Sequence, residues 1–122
     1  MAMRGLRGAI TVEHNTKEEI WQAAQELMTK LLEQNRLNPA NIGAAIFSMT
    51  EDLTAAFPTA GVRQLQGFGC VPFFDARQCA VDGSLPHCIR VLLLIETGKK
   101  QDELAHVYLR EAQNLRPDLS AD

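Results

Sequence analysis

Three hydrophobic patterns divide the chain. The run Cys88 to Ile95 (CIRVLLLI) is the most apolar and is bounded by Pro86 and Gly98. A short aliphatic and β-branched run with such flanks reads as a strand buried on both faces. Met3 to Val12 (MRGLRGAITV) reads as a first strand, with Arg4, Leu6, Gly8 and Ile10 on one side and Gly5, Arg7, Ala9 and Thr11 on the other. Between them Ile20, Ala23, Ala24, Leu27, Met28, Leu31 and Leu32 recur at helical spacing, opposite Lys17, Gln22, Gln25, Glu26 and Lys30. Thr16 with Glu19 forms the capping-box pattern that opens this helix, which is expected to cover a sheet.

Shorter segments complete the picture. Ile42 to Met49 is a second strand candidate, followed by a cap and turn at Thr50-Glu51-Asp52-Leu53. Thr54 to Leu65 suggests short helical turns, broken at Phe57-Pro58 and capped by Thr59. Gly67 to Asp75 reads as a third strand, with Pro72 at an edge or bulge. Ala76 to Leu85 is a loop ending at the Asp82-Gly83 turn. Lys99 to Glu103 is a polar turn, Ala105 to Arg110 a last short strand, and 116–122 a tail. No repeat or linker interrupts the sequence, and 122 residues suffice for one domain with one core.

Two features do not fit a plain strand pattern. Arg90 sits inside the apolar run, sharing a face with Cys88, Leu92 and Leu94. It either reaches water or a carboxylate from the strand end, or stands as a fixed cation at the wall of an anion site. Arg7 is flanked on its face by Gly5 and Ala9. The glycines of this strand permit either a bulge or the close approach of a ligand or another backbone.

Composition narrows the function classes. Hydrophobic residues make up 46% and charged residues 22%, as in ordinary globular proteins. A net charge of −3 gives no general attraction to nucleic acid or to anionic membranes, so an anion site must be a local cluster of cations. Cys70, Cys79 and Cys88 are odd in number and lack C-x-x-C spacing, which suits a reducing cytoplasm. No apolar run reaches membrane-spanning length and no secretory h-region is visible.

The usual catalytic motifs are missing: H-E-x-x-H, a phosphate loop, G-x-G-x-x-G and G-x-S-x-G. His14, His87 and His106 lack ligand spacing, and Cys79 with His87-Cys88 is too few for a metal. No nucleophile–base pair stands out. What remains is a set of arginines, Arg7, Arg63, Arg90 and Arg116, suited to a small polyanion.

The opening Arg4-Gly5-Leu6-Arg7-Gly8-Ala9-Ile10-Thr11-Val12-Glu13 resembles that of the AroH-class chorismate mutases. So do Thr50-Glu51-Asp52-Leu53, Phe57-Pro58, Val71-Pro72, Cys88-Ile89-Arg90-Val91, His106-Val107-Tyr108-Leu109 and Leu115-Arg116-Pro117-Asp118-Leu119, in order along the whole chain. The resemblance implies an α+β fold, a mixed β-sheet packed on one long helix of the ferredoxin-like, Bacillus chorismate mutase-like kind. It also implies a homotrimer, a trimeric pseudo-α/β-barrel, with active sites at the subunit interfaces. The implied reaction is the pericyclic rearrangement of chorismate to prephenate, in phenylalanine and tyrosine biosynthesis, without cofactor or metal.

By the same resemblance Arg90 donates to the ether oxygen, Arg7 and Tyr108 bind carboxylate, and Phe57 packs on the ligand. Arg63 and Arg116 add positive potential, with Leu115 beside them. The segment Phe73, Phe74, Asp75, Ala76, Arg77 and Gln78 lines the pocket. Two departures stand out. Gln78 occupies a position where the family has Glu, and Ala60 one where some members have Lys. Asp75, where some members have Cys, either carries the displaced carboxylate or merely ends a strand. The other readings are a same-fold protein with weak or no catalysis, and a trimeric ligand-binding scaffold of the YjgF/RidA type.

Overall fold

The computed structural model describes residues 1–115 and contains one five-stranded sheet. Its strands are β1 (Ala2–Thr11), β2 (Ile42–Met49), β3 (Phe73–Arg77), β4 (Cys88–Thr97) and β5 (Val107–Leu109). The order across the sheet is β3-β2-β4-β1-β5. The three inner strands are antiparallel, and the two outer ones, β3 on β2 and β5 on β1, are parallel. β2 and β3, the parallel pair consecutive in the chain, are joined by a long crossover rather than a tight turn.

Helix α1 (Lys17–Asn35) covers one face. Its stripe of Ile20, Ala23, Ala24, Leu27, Met28 and Leu31 packs with Leu6, Ile10, Phe47, Ile89, Val91, Leu93 and Ile95 in the main core. The approach is close enough to require glycine at one position. A Cβ on Gly8 would lie 3.0 Å from both Leu27 Cδ1 and Leu31 Cδ1 and 3.2 Å from the Val107 carbonyl oxygen. That glycine therefore admits the helix and the neighbouring strand, not a ligand. β1 itself has no bulge; the register shift lies in β2, between Ile42 and Ala44.

The opposite face corrects the expectation for the apolar run. β4 is buried along its length on the helix side; on the other side Cys88 is buried, but Arg90 and Leu94 are half-buried and Leu92 is 37% exposed. Phe74, 65% exposed, lies on the same face, because it pairs through Ile46 with Leu92. A row of apolar side chains this open is what a second protein surface would cover.

Several boundaries also move. The third strand begins at Phe73 rather than Gly67, because Gly67 takes φ +92 against Pro39 and the chain turns until Pro72. The expected edge position near Pro72 holds, and β3 runs on through Arg77 into what reads as loop. The last strand is only Val107–Leu109; Arg110, at φ 56, turns the chain into a 3-10 helix to Asn114. Helix α2 (Pro58–Val62) starts with proline in its first turn, and Thr59 does not cap it. The Thr16 cap of α1 accepts the Glu19 N–H, but the Glu19 carboxylate accepts the His14 N–H instead of closing the box.

Candidate active site

The registers place the predicted arginines and tyrosine on the open face. Tyr108 lies opposite Ala9, Ala9 opposite Arg90, Arg90 opposite Ser48 and Ser48 opposite Ala76, one row across all five strands. The adjacent row on this face runs Arg7, Leu92, Ile46, Phe74. Arg7 and Arg90 are thus diagonal neighbours on paired strands about 4.8 Å apart, with the small Ala9 beside both. Gln78 extends β3 by donating its backbone N–H to the Met49 carbonyl at 3.2 Å.

Unpaired buried polar atoms single out the same residues. Among the described residues, the buried side-chain nitrogens and oxygens without a hydrogen-bond partner are Arg90 Nε, Tyr108 OH, Gln78 Oε1 and Asp75 Oδ1. Leaving such a group unpaired costs about 1–3 kcal/mol, more for a charged one, so a concentration of them marks a place where fold stability yields to function. All four belong to residues expected at the site.

Packing fixes them. Tyr108, only 1% exposed, sits with Ala9, Cys88 and Ala112 in a small second core flanked by Leu85 and Leu115. Burial pushes the Cys88 thiol up, outweighing the pull of nearby Arg90. The thiol stays neutral and leaves the arginine's charge available. The start of β4 is tied down in turn: Thr50 Oγ1 accepts the Cys88 N–H at 3.0 Å and donates to Asp52, whose carboxylate also accepts the His87 N–H at 3.0 Å. His87 needs that anchor, as its φ of 51 is unusual for a residue with a side chain.

Partial burial raises the Asp52 pKa, but hydrogen bonds from Thr50 and the His87 N–H outweigh it and hold the carboxyl below its usual value. A depressed folded-state pKa stabilises the fold above the unfolded-state value, and that contribution disappears as pH falls through the folded one. Asp52→Asn is therefore expected to destabilise at neutral pH and to narrow its gap to the wild type below about pH 4. Melting temperature against pH measures this; a constant gap would remove Asp52 from the acid limb.

The remaining predicted residues gather elsewhere. Phe73, Asp75 and Arg77 alternate to the helix side of β3, while Phe74 and Ala76 take the open face. Asp75 lies within β3, whereas Gln78 follows the strand's last residue, Arg77. Asp75 Oδ2 accepts from Thr59 Oγ1 at 2.7 Å. The Arg63 guanidinium lies 5.6 Å from the Phe73 ring centroid, and Phe57 is 67% exposed beside them. A cavity of about 250 Å³ touches Phe57, Asp75, Ala76 and Arg77. Arg116 lies outside the described residues.

A concavity of about 710 Å³ runs along Thr11 to His14, Leu85 to His87 and Arg110. It holds none of Arg7, Arg90 or Tyr108, and its His14, Glu19 and Arg110 are already paired, the last with Glu26. The chemistry lies with the unpaired atoms. No group of three or more His, Cys, Asp or Glu among the described residues is arranged to hold a metal ion. Sequence reasoning missed the supporting roles of Asp52, His87, Thr59 and His106; for Asp52 the Thr-Glu-Asp-Leu motif was the available signal.

Comparisons with known proteins converge. The family model described as chorismate mutase type I matches residues 3–119. The chain is 52% identical over 120 residues to a chorismate mutase AroH of Thermus thermophilus, covering 98% of both chains. It is 43% identical over 120 residues to the chorismate mutase AroH of Bacillus subtilis, covering 98% of this chain and 94% of that one. Among solved structures, a chorismate mutase from Clostridium thermocellum superposes with a TM-score of 0.87 at 37% identity, over 90% of this chain and 97% of the other.

Proposed function

Because the chain belongs to the type I chorismate mutase family and is an isomerase of that kind, we propose that its active site forms between two copies of the chain in a homotrimer. The observation that carries this reading is the division of the predicted residues. Arg7, Arg90 and Tyr108 share one face of the sheet, whereas Phe57, Arg63, Phe73 and Asp75 lie at α2 and the other side of β3. One chain holds two halves of a site that point apart. The exposed Leu92 and Phe74, with the half-buried Ile46 between them, supply an apolar surface for the contact.

The rearrangement breaks a C–O bond while a C–C bond forms, with no proton or nucleophile needed. The protein's task is to hold the dicarboxylate in its compact conformer and to stabilise separating charge. Arg7 and Tyr108 take a carboxylate. Arg90 donates to the ether oxygen, where negative charge grows; its planar fork also reaches a carboxylate. Gln78 hydrogen-bonds without opposing a cation. Asp75 from the neighbouring copy supplies the anion on the ring side, and Phe57 covers the ligand. Leu115 packs on Tyr108, and Arg63 and Arg116 raise the local potential. Residues 1–122 act as one domain and work in the cytoplasm on the route to phenylalanine and tyrosine. A non-catalytic scaffold of the YjgF/RidA type is not favoured by the family membership.

Mixing two inactive variants tests the arrangement. Arg90→Ala damages one half and Arg63→Ala/Asp75→Asn the other. Co-refolded in equal amounts, they should recover about a quarter of the wild-type sites, because an interface is intact only when each chain gives its undamaged half. No recovery, or an active monomer by light scattering, rejects the shared site.

A further inference from the structure

We infer that His106 is a positioning residue for Arg7, acting through its ring Nδ1 as a stand-in for a missing strand. The inference rests on the reading of Arg7 as a carboxylate binder. β1 is ten residues long, but β5 pairs with it only from Gly8 to Ile10. Toward its N-terminus the outer edge of β1 has no neighbouring strand among the described residues, and its amides would go to water or shift. Two side chains occupy that edge. Gln101 exchanges both hydrogen bonds with Gly5, accepting its N–H at 2.9 Å and donating to its carbonyl at 2.6 Å. His106 Nδ1 accepts the Arg7 N–H at 2.9 Å. Together they continue the ladder of β5 past its end, one step at Gly5 and one at Arg7.

The imidazole is held from behind. Asn35, at the end of α1 and 1% exposed, accepts the Ala105 N–H at 2.7 Å and donates to the Ala105 carbonyl at 2.9 Å. It also donates to the Leu31 carbonyl at 2.9 Å, and Lys99 Nζ donates to its own carbonyl at 2.8 Å. The residue before His106 is thus clamped to the covering helix, and the residue two after it is Tyr108. Arg7 and Tyr108 are therefore set by one short segment, which keeps the two carboxylate ligands at a fixed spacing. Accepting an amide N–H requires an unprotonated Nδ1, so any ring proton of the neutral imidazole is on Nε2.

Two isosteres separate this role from general packing. Asparagine can place its Oδ1 where Nδ1 stands; glutamine places its amide near Nε2 and leaves Nδ1 unmatched. His106→Gln is expected to raise KM about tenfold with kcat within about twofold, the size of one lost hydrogen bond holding a ground-state ligand. His106→Asn should keep KM near wild type. Amide hydrogen exchange at Arg7, which needs no substrate, should be slow in wild type and His106→Asn and fast in His106→Gln. Equal exchange at Arg7 in all three proteins, or equal KM in the two variants, overturns the inference. If instead Arg7→Ala leaves KM unchanged while the exchange pattern appears, the carboxylate reading of Arg7 fails and the positioning of its backbone stands. Melting curves on both variants identify any that unfold, and native-state exchange on the folded His106→Asn protein then decides.

Discussion

Arg90→Ala is expected to abolish measurable turnover, with kcat falling at least a hundred- to a thousandfold, the loss found when one donor to a developing oxyanion is removed. The structure gives reasons for a large effect. Arg90 is planted mid-sheet, its Nε is buried and unpaired, and no carboxylate is within ion-pair distance of it among the described residues. That nitrogen has no hydrogen-bond partner among the described residues. Arg90→Lys keeps the charge but loses the fork, and a point charge cannot address the ether oxygen and a carboxylate together. That variant should still lose most of its kcat. Chorismate loss with prephenate appearance is the assay, and near-normal kinetics in the lysine variant would make Arg90 a structural residue.

The second large effect concerns the ring side of the substrate. As the ether bond breaks, the ring becomes electron-poor, and Arg90 can answer only the opposite charge. Asp75 keeps one carboxylate oxygen on Thr59 and has the other buried and unpaired. Asp75→Asn should therefore lower kcat about ten- to a hundredfold with a much smaller change in KM, since the interaction strengthens only as charge develops. Adding Gln78→Glu should restore much of the rate, because it returns a carboxylate to the position where the family has Glu. An unchanged kcat in Asp75→Asn would show that the enzyme works without an anion opposite Arg90.

Much of this was legible in the residues. The stripe of α1, the Thr16 cap, the alternation of β1 and the apolar run of β4 are local periodicities, and each element formed where its pattern lies. The third strand was misplaced because Gly67-Phe68-Gly69 mixes apolar residues with glycine, and only contact with Pro39 decides that the chain turns there. The open face of β4 was hidden because a strand covered on one side by a helix and a strand covered on both can share one apolar composition. Arg7 and Arg90 were identifiable as anomalies, charges set in apolar or glycine-lined strands. Asp75 was identifiable as a residue but not by direction, since its facing depends on where β3 enters register with β2. The role of His106 was not legible at all. It depends on β5 ending short of Arg7, a fact of tertiary pairing.

The unbroken ladder of β1 and β4 also governs how the molecule comes to exist. Every residue from Ala2 to Thr11 pairs with one from Cys88 to Thr97, so the central seam of the sheet joins the two most distant thirds of the chain. Loop closure over such separations must precede the reward of pairing, which slows folding relative to chains built from local contacts. During synthesis α1 can coil early, but its apolar stripe and the first strand wait for a partner made near the end. Arg7 acquires its neighbours on β4 and its tie to His106 only after the residues from Cys88 to His106 have followed it.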